Sequence, residues 1–191
     1  SGVTVIMNLN GLQVKGLTEN ETAVKLYETY AKDMPIFDYH CHLSEKQILE
    51  NKRFNDIAEV WLGGDHYKWR LMRYYGVPEE LITGKASNHD KFVAYCKTLG
   101  TAFGNPLYHW SQAELEEFFG CELEINEKNA EKIWTECNEY IEKNDITPVS
   151  LIEKSNVKFI FTTNEVFDDL STFEKIAAKG YSFKVMPAFR A

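Results

Sequence analysis

The sequence predicts an α/β protein built on parallel strands, with a long helical stretch between the first strand and the second. Three observations carry this. Short apolar, strand-like runs occur at residues 36–40, 157–163 and 183–187. Apolar residues at spacings of three and four fill most of residues 44–155 and recur between the last two runs. Strands that alternate with helices imply a parallel sheet or barrel. A complete (β/α)8 barrel takes about 200–250 residues or more, and this chain has 191.

Composition agrees with a packed globular protein. Apolar residues make up 44% and charged residues 26%, enough for a sizeable core. Lys and Arg number 21 against 29 Asp and Glu, a net charge of −8. An acidic chain without a basic stripe is a poor nucleic-acid binder. No apolar run reaches the ~18 residues of a membrane span, and the first residues lack the pattern of a signal peptide. Cys41, Cys96, Cys121 and Cys137 form no CxxC pair. Four reduced, packed cysteines in a cytoplasmic protein are the expectation.

Four segments follow in order. Residues 1–17 hold Asn10-Gly11 between short alternating runs, which reads as a small hairpin or, at Ser1-Gly2, as a cloning remnant. Residues 18–43 open with Thr18 and Glu21 at capping-box spacing. Ala23, Val24, Tyr27, Tyr30 and Ala31 then mark one helix face, Pro35 stops it, and strand one runs into His40-Cys41-His42. Residues 44–155 are mostly helical. Ser44 with Gln47, Ser87 with Asp90 and Ser111 with Glu114 read as helix starts, and Gly76 as a helix end. Ala130, Ile133, Trp134, Cys137, Tyr140 and Ile141 mark another apolar face, and Thr147-Pro148 a cap with proline at the first helical position. Residues 156–191 hold strands two and three, joined by a helix capped at Ser171 and ended at Gly180.

Five places can carry chemistry. In His40-Cys41-His42 the imidazoles lie two apart and share one side of a strand. They can meet one metal ion at the strand's C-terminal end, the catalytic end in α/β barrels; two hydrogen-bonded histidines are the alternative. Cys41 points the other way, into packing. In residues 61–70, Gly63-Gly64 loosens the backbone before a helix that Asp65 can cap. His66, Tyr67, Lys68 and Arg70 crowd its first turns. Cations there oppose the helix dipole, so they suit an anionic ligand, or else they are a solvated helix start over a core holding Trp61 and Trp69. Asn105-Pro106 marks a turn, and packing is the favoured reading of nearby His109. Thr163, Asn164 and Glu165 end strand two where active-site residues sit in barrels. Arg190 ends strand three, and arginine suits bidentate grip of a carboxylate; judged alone, it is an ordinary surface arginine.

Together these stretches resemble uronate isomerase (glucuronate isomerase), a branch of the amidohydrolase superfamily. The matching strings are residues 27–43, 61–73 and 104–110 and Phe189-Arg190, in the family's order with similar gaps. The resemblance implies the N-terminal part of a (β/α)8 TIM-like barrel, about three parallel strands, with a large helical insertion after strand one. It implies aldose–ketose isomerisation of D-glucuronate to D-fructuronate, and of D-galacturonate to D-tagaturonate, in bacterial hexuronate catabolism. It implies a divalent metal, commonly zinc, on His40 and His42 with an aspartate from the last strand. His66, Tyr67 and Arg190 then look like catalytic and substrate contacts, with Thr163 and Asn164 beside the substrate. Two departures stand out. The family's Thr-Thr-Asp-Asp-Pro is here Thr162-Thr163-Asn164-Glu165-Val166, and the last-strand aspartate is absent. The chain alone is therefore expected to be an inactive fragment that forms a homo-oligomer or joins the missing C-terminal part. A non-catalytic self-associating segment and another amidohydrolase-type metal hydrolase are the alternatives.

Overall fold

The computed structural model describes residues 20–165 and 167–189. The hairpin expected within residues 1–17, the Thr18 cap and Arg190 lie outside them. Three strands form one parallel sheet in the order β1 (Ile36–Cys41), β2 (Val157–Asn164), β3 (Lys184–Phe189). β2 and β3 pair in continuous register from Phe159↔Lys184 to Asn164↔Phe189. β1 pairs with β2 through two irregularities, and Cys41 comes opposite Thr162. The C-terminal ends of β1 and β2 therefore lie side by side, where the Thr163 hydroxyl donates to the Cys41 carbonyl at 3.2 Å.

Before β1, α1 (Glu21–Leu26) is capped by Asn20, whose side chain accepts from the Thr22 and Ala23 amides. It runs into a π turn at Tyr27–Ala31. The expected apolar stripe is present in sequence, yet neither element buries a residue, and Tyr30 is 69% exposed. Periodicity reveals a stripe but not what packs on it.

Between β1 and β2 come α2 (Glu45–Glu50), α3 (Ile57–Leu62), α4 (His66–Tyr74), α5 (Asn88–Leu99), α6 (Pro106–Phe119), α7 (Ala130–Asn144) and α8 (Pro148–Lys154). Ser44 and Thr147 make full capping boxes with Gln47 and Ser150. Ser87 caps α5. Gly76 follows α4 at φ +76°, a conformation that costs glycine little. Ser111, expected to start a helix, lies inside α6 instead. Asn105 caps that helix by accepting from the Leu107 amide, and Pro106 takes the first position, where a missing N–H costs nothing. Asn105-Pro106 is thus a helix start and not a free turn. α9 (Ser171–Ala177) likewise lacks the expected Ser171 cap: Ser171 is its first residue, bonded through backbone and hydroxyl to the Asp169 carboxylate.

The core lies mainly among these helices. Trp61 of α3, Met72 of α4, Phe92, Tyr95 and Leu99 of α5, Leu115 and Phe118 of α6, and Ile133, Cys137 and Ile141 of α7 are almost fully buried. Trp61 stacks on Phe92 and meets Tyr95 edge-on. The expected α7 face is the buried one. All four cysteines are buried and free. One seam joins the two ends of the helical stretch: the Phe54 amide donates to the Ile146 carbonyl, and the Val149 amide to the Asn51 carboxamide, 98 positions away. α2, at one end, packs on α8 and on α9. No helix among the described residues is long and apolar enough to cross a membrane.

Candidate active site at the C-terminal end of β1

Alternation along β1 sends Cys41 inward, 5% exposed, and brings His40 and His42 to the same side. Their Nε2 atoms stand 3.1 Å apart with the rings edge to face. Two nitrogens bound to one tetrahedral zinc at about 2.0–2.1 Å would stand about 3.3 Å apart. The pair therefore fits two corners of a metal site, and the same distance fits a hydrogen bond between neutral rings. Burial, followed by the neighbouring His40 and His66, lowers the His42 pKa from its ordinary value. That favours the neutral ring a metal needs. The His42 Nδ1 is buried and has no hydrogen-bond partner among the described residues; in a metal site that N–H normally finds an acceptor. Nor does a group of three or more metal-ligating side chains gather among them, so two imidazoles are what this segment offers.

Asp38, one alternation back, is buried and accepts from the His40 amide at 3.2 Å. Burial pushes its carboxyl up to about 6, against the His40 amide, which holds it down. Burial also pushes the Cys41 thiol up to about 12, which removes it as a nucleophile.

The start of α4 completes the cluster. His66 approaches His42 edge-on at 5.6 Å, and Tyr67 stacks on His42 at 5.9 Å with the rings 11° from parallel. His66 is braced edge-on by Trp69, whose indole donates to the Leu62 carbonyl. His40, His42, His66 and Tyr67 are thus brought together from two elements distant in sequence.

The end of β2 is more self-contained. Thr163 is tied to Cys41. Asn164 is buried, accepts from the Thr162 hydroxyl at 2.6 Å and donates to the Asp168 carboxylate at 3.4 Å. These bonds fasten the strand end beside the histidines. Arg190 lies outside the described residues.

Lys68 departs from the expectation of a cation offered to an anionic ligand. It is 2% exposed and turned inward, 3.4 Å from Asp65 and 3.7 Å from Glu114. Asp65 also caps α4, its Oδ1 accepting from the Tyr67 and Lys68 amides. Arg70 stays exposed and reaches over the Tyr67 ring at 5.7 Å. His109 is exposed against Tyr108, so the packing reading fails there. The sequence reading took Glu114 for the helix-start partner of Ser111 and missed it as a buried charge, although a Glu four residues before Phe118 on an apolar helix face is a recognisable signal. A groove of about 690 Å³ runs beside Tyr67, over Leu71, Tyr74 and Trp110, with Lys68 and Glu114 in its lining.

The sheet, with its histidine cluster at a strand C-terminus, defines a parallel α/β protein of the kind that builds active sites from strand ends. The chain belongs to the glucuronate isomerase family, whose family model matches residues 10–191. It is 53% identical to the uronate isomerase of Caldanaerobacter subterraneus over 175 residues, which covers 91% of this chain and 38% of that protein. With the uronate isomerase of Clostridium acetobutylicum it shares 50% identity over 182 residues, 95% of this chain and 39% of the relative. The solved structure of uronate isomerase from Thermotoga maritima matches with a TM-score of 0.83 at 38% identity, over 90% of this chain and 37% of that one. The chain thus spans less than two fifths of the length of these relatives.

Proposed function

We propose that this chain supplies the first three strands and the helical part of a uronate isomerase, an intramolecular oxidoreductase acting on hexuronates such as D-glucuronate. The observation that carries the reading is the convergence of His40, His42, His66 and Tyr67 at the C-terminal end of β1. In the reaction a proton leaves C2 and is delivered to C1, while the hydroxyl proton at O2 ends on O1. The aldehyde becomes an alcohol and C2 becomes a ketone, with no net oxidant. His40 and His42 would hold a divalent metal such as zinc, one of the borderline ions that imidazole donors suit. Such an ion, when bound, supplies Lewis-acid stabilisation of the developing oxyanion. His66 and Tyr67 present polar groups to the substrate from the α4 start. Arg190 is assigned to the uronate carboxylate, and Thr163 and Asn164 to the rim of the site.

The reading includes a (β/α)8 barrel of the amidohydrolase type, completed by strands beyond these three. Phe37 and Tyr39 on β1, a sheet edge, are 54% and 79% exposed. Open edges of this kind favour pairing with a further strand or association of copies. Four free, buried cysteines support a cytoplasmic setting.

The test is to assay glucuronate-to-fructuronate conversion with zinc. One sample is the 191-residue chain alone; the other is the chain joined to the part of the Caldanaerobacter enzyme beyond its match. Turnover only in the joined protein is expected. Turnover by the chain alone would refute the incomplete-barrel part, and an inactive but folded joined protein would refute the assignment to this reaction.

A further inference from the structure

We propose that Asp65, Lys68 and Glu114 are positioning residues: a buried charge triad that fixes the phase of the α4 start and so sets Tyr67 and His66 against His42. The inference rests on the isomerase reading for its link to turnover, though not for its geometry.

The three side chains are 3%, 2% and 5% exposed. Asp65 acts twice. Its Oδ1 accepts from the Tyr67 amide at 2.9 Å and the Lys68 amide at 3.2 Å, and its Oδ2 faces Lys68 Nζ at 3.4 Å. Lys68 Nζ then reaches Glu114 Oε2 of α6 at 3.7 Å and lies 5.7 Å over the Trp61 ring. His66 and Tyr67 sit between Asp65 and Lys68 in sequence, so clamping those two fixes the first helical turn. Their side chains leave that turn toward His42, where the Tyr67 stack is 11° from parallel. A small rotation of the turn would open it.

Stability alone does not account for the arrangement. Buried charges are costly to desolvate, and apolar residues of similar volume usually serve the fold as well. The ion-pair distances are long, and Glu114 Oε2 has no hydrogen-bond partner among the described residues. A capping Asp65 would hold the helix end without Lys68 or Glu114. What the pair adds is a second anchor, from α6, on the turn that presents His66 and Tyr67.

The test is the double variant Lys68→Met/Glu114→Gln, which removes both charges and keeps volume. In the 191-residue chain the urea midpoint should not fall while the NMR cross-relaxation between the His42 and Tyr67 rings is lost. In the joined enzyme kcat should fall about a hundredfold, as a misplacement of about 1 Å can cause, with KM moving less than kcat. Retained ring contact with unchanged kcat would overturn the proposal. If the double variant does not fold, Glu114→Gln alone decides, because full ring contact and full kcat in that variant also overturn it. A joined wild-type enzyme without turnover would sink the isomerase reading, and the ring contact would still judge the triad.

Discussion

Glu114 gives the sharpest prediction about stability. Burial pushes its carboxyl from the usual 4.5 up to about 7; Asp65 acts in the same direction, while Lys68 and Trp61 oppose it. Tyr95 of α5 also feels its charge. At low pH the carboxyl is protonated in both the folded and the unfolded chain. Between about 4.5 and about 7 the folded chain keeps a proton that the unfolded chain has released. Stability therefore falls as pH rises through this window, by about 3 kcal/mol for a pKa difference of that size. Glu114→Gln keeps the shape and abolishes the titration. Urea unfolding at about pH 5 and about pH 8 measures the loss in each protein. The loss should be smaller in the variant by about 2–3 kcal/mol, since at about pH 5 part of the window is already passed. Asp38, also raised by burial, titrates in both proteins and cancels. Equal losses in the two proteins would refute the reasoning, because a buried carboxyl with a raised pKa must leave this slope.

Other expectations follow from single contacts. His40→Ala or His42→Ala should abolish zinc retention in the joined enzyme, read as metal content after dialysis, since each removes one of two converging nitrogens. Ser111→Ala strips the fully buried Tyr95 hydroxyl of the partner 2.9 Å away; it should cost about 1–3 kcal/mol in urea unfolding. Adding Tyr95→Phe should return part of that loss. Thr147→Ala breaks one side of the α8 capping box and should cost about 1 kcal/mol by the same assay.

Local chemistry was legible and tertiary chemistry was not. The caps at Ser44, Asp65 and Thr147 read correctly because the capping side chain and its amides lie within three residues of each other. Ser111 misled because its spacing to Glu114 imitates a helix start, while Asn105-Pro106 upstream had already started the helix. The meeting of His40 and His42 followed from strand alternation. The arrival of Tyr67 on His42 depends on how α4 docks, and no local pattern encodes that. Lys68 was misassigned for the same reason: beside the local Asp65, its second counter-charge comes from α6, more than forty positions along the chain. The parallel sheet was legible as three apolar runs spaced by helices, whereas the exposure of α1 was not, because periodicity alone does not say what an apolar stripe packs on.

The seam between residues 51–54 and 146–149 has a consequence for the order in which the protein assembles. β1 and β2 are neighbours in the sheet, yet Thr163 and its acceptor Cys41 are 122 positions apart. Closing a disordered loop of that length carries an entropy cost before any strand contact repays it. Helical hairpins form quickly from local contacts, whereas parallel pairing is slow. Once α5, α6 and α7 have packed and Asn51 holds Val149, the long loop becomes a short tether and the two strands meet at little further cost. Pulse-labelled hydrogen exchange during refolding should accordingly protect the amides of α5 and α7 before those of β1. Simultaneous protection would mean that the sheet templates the helices instead.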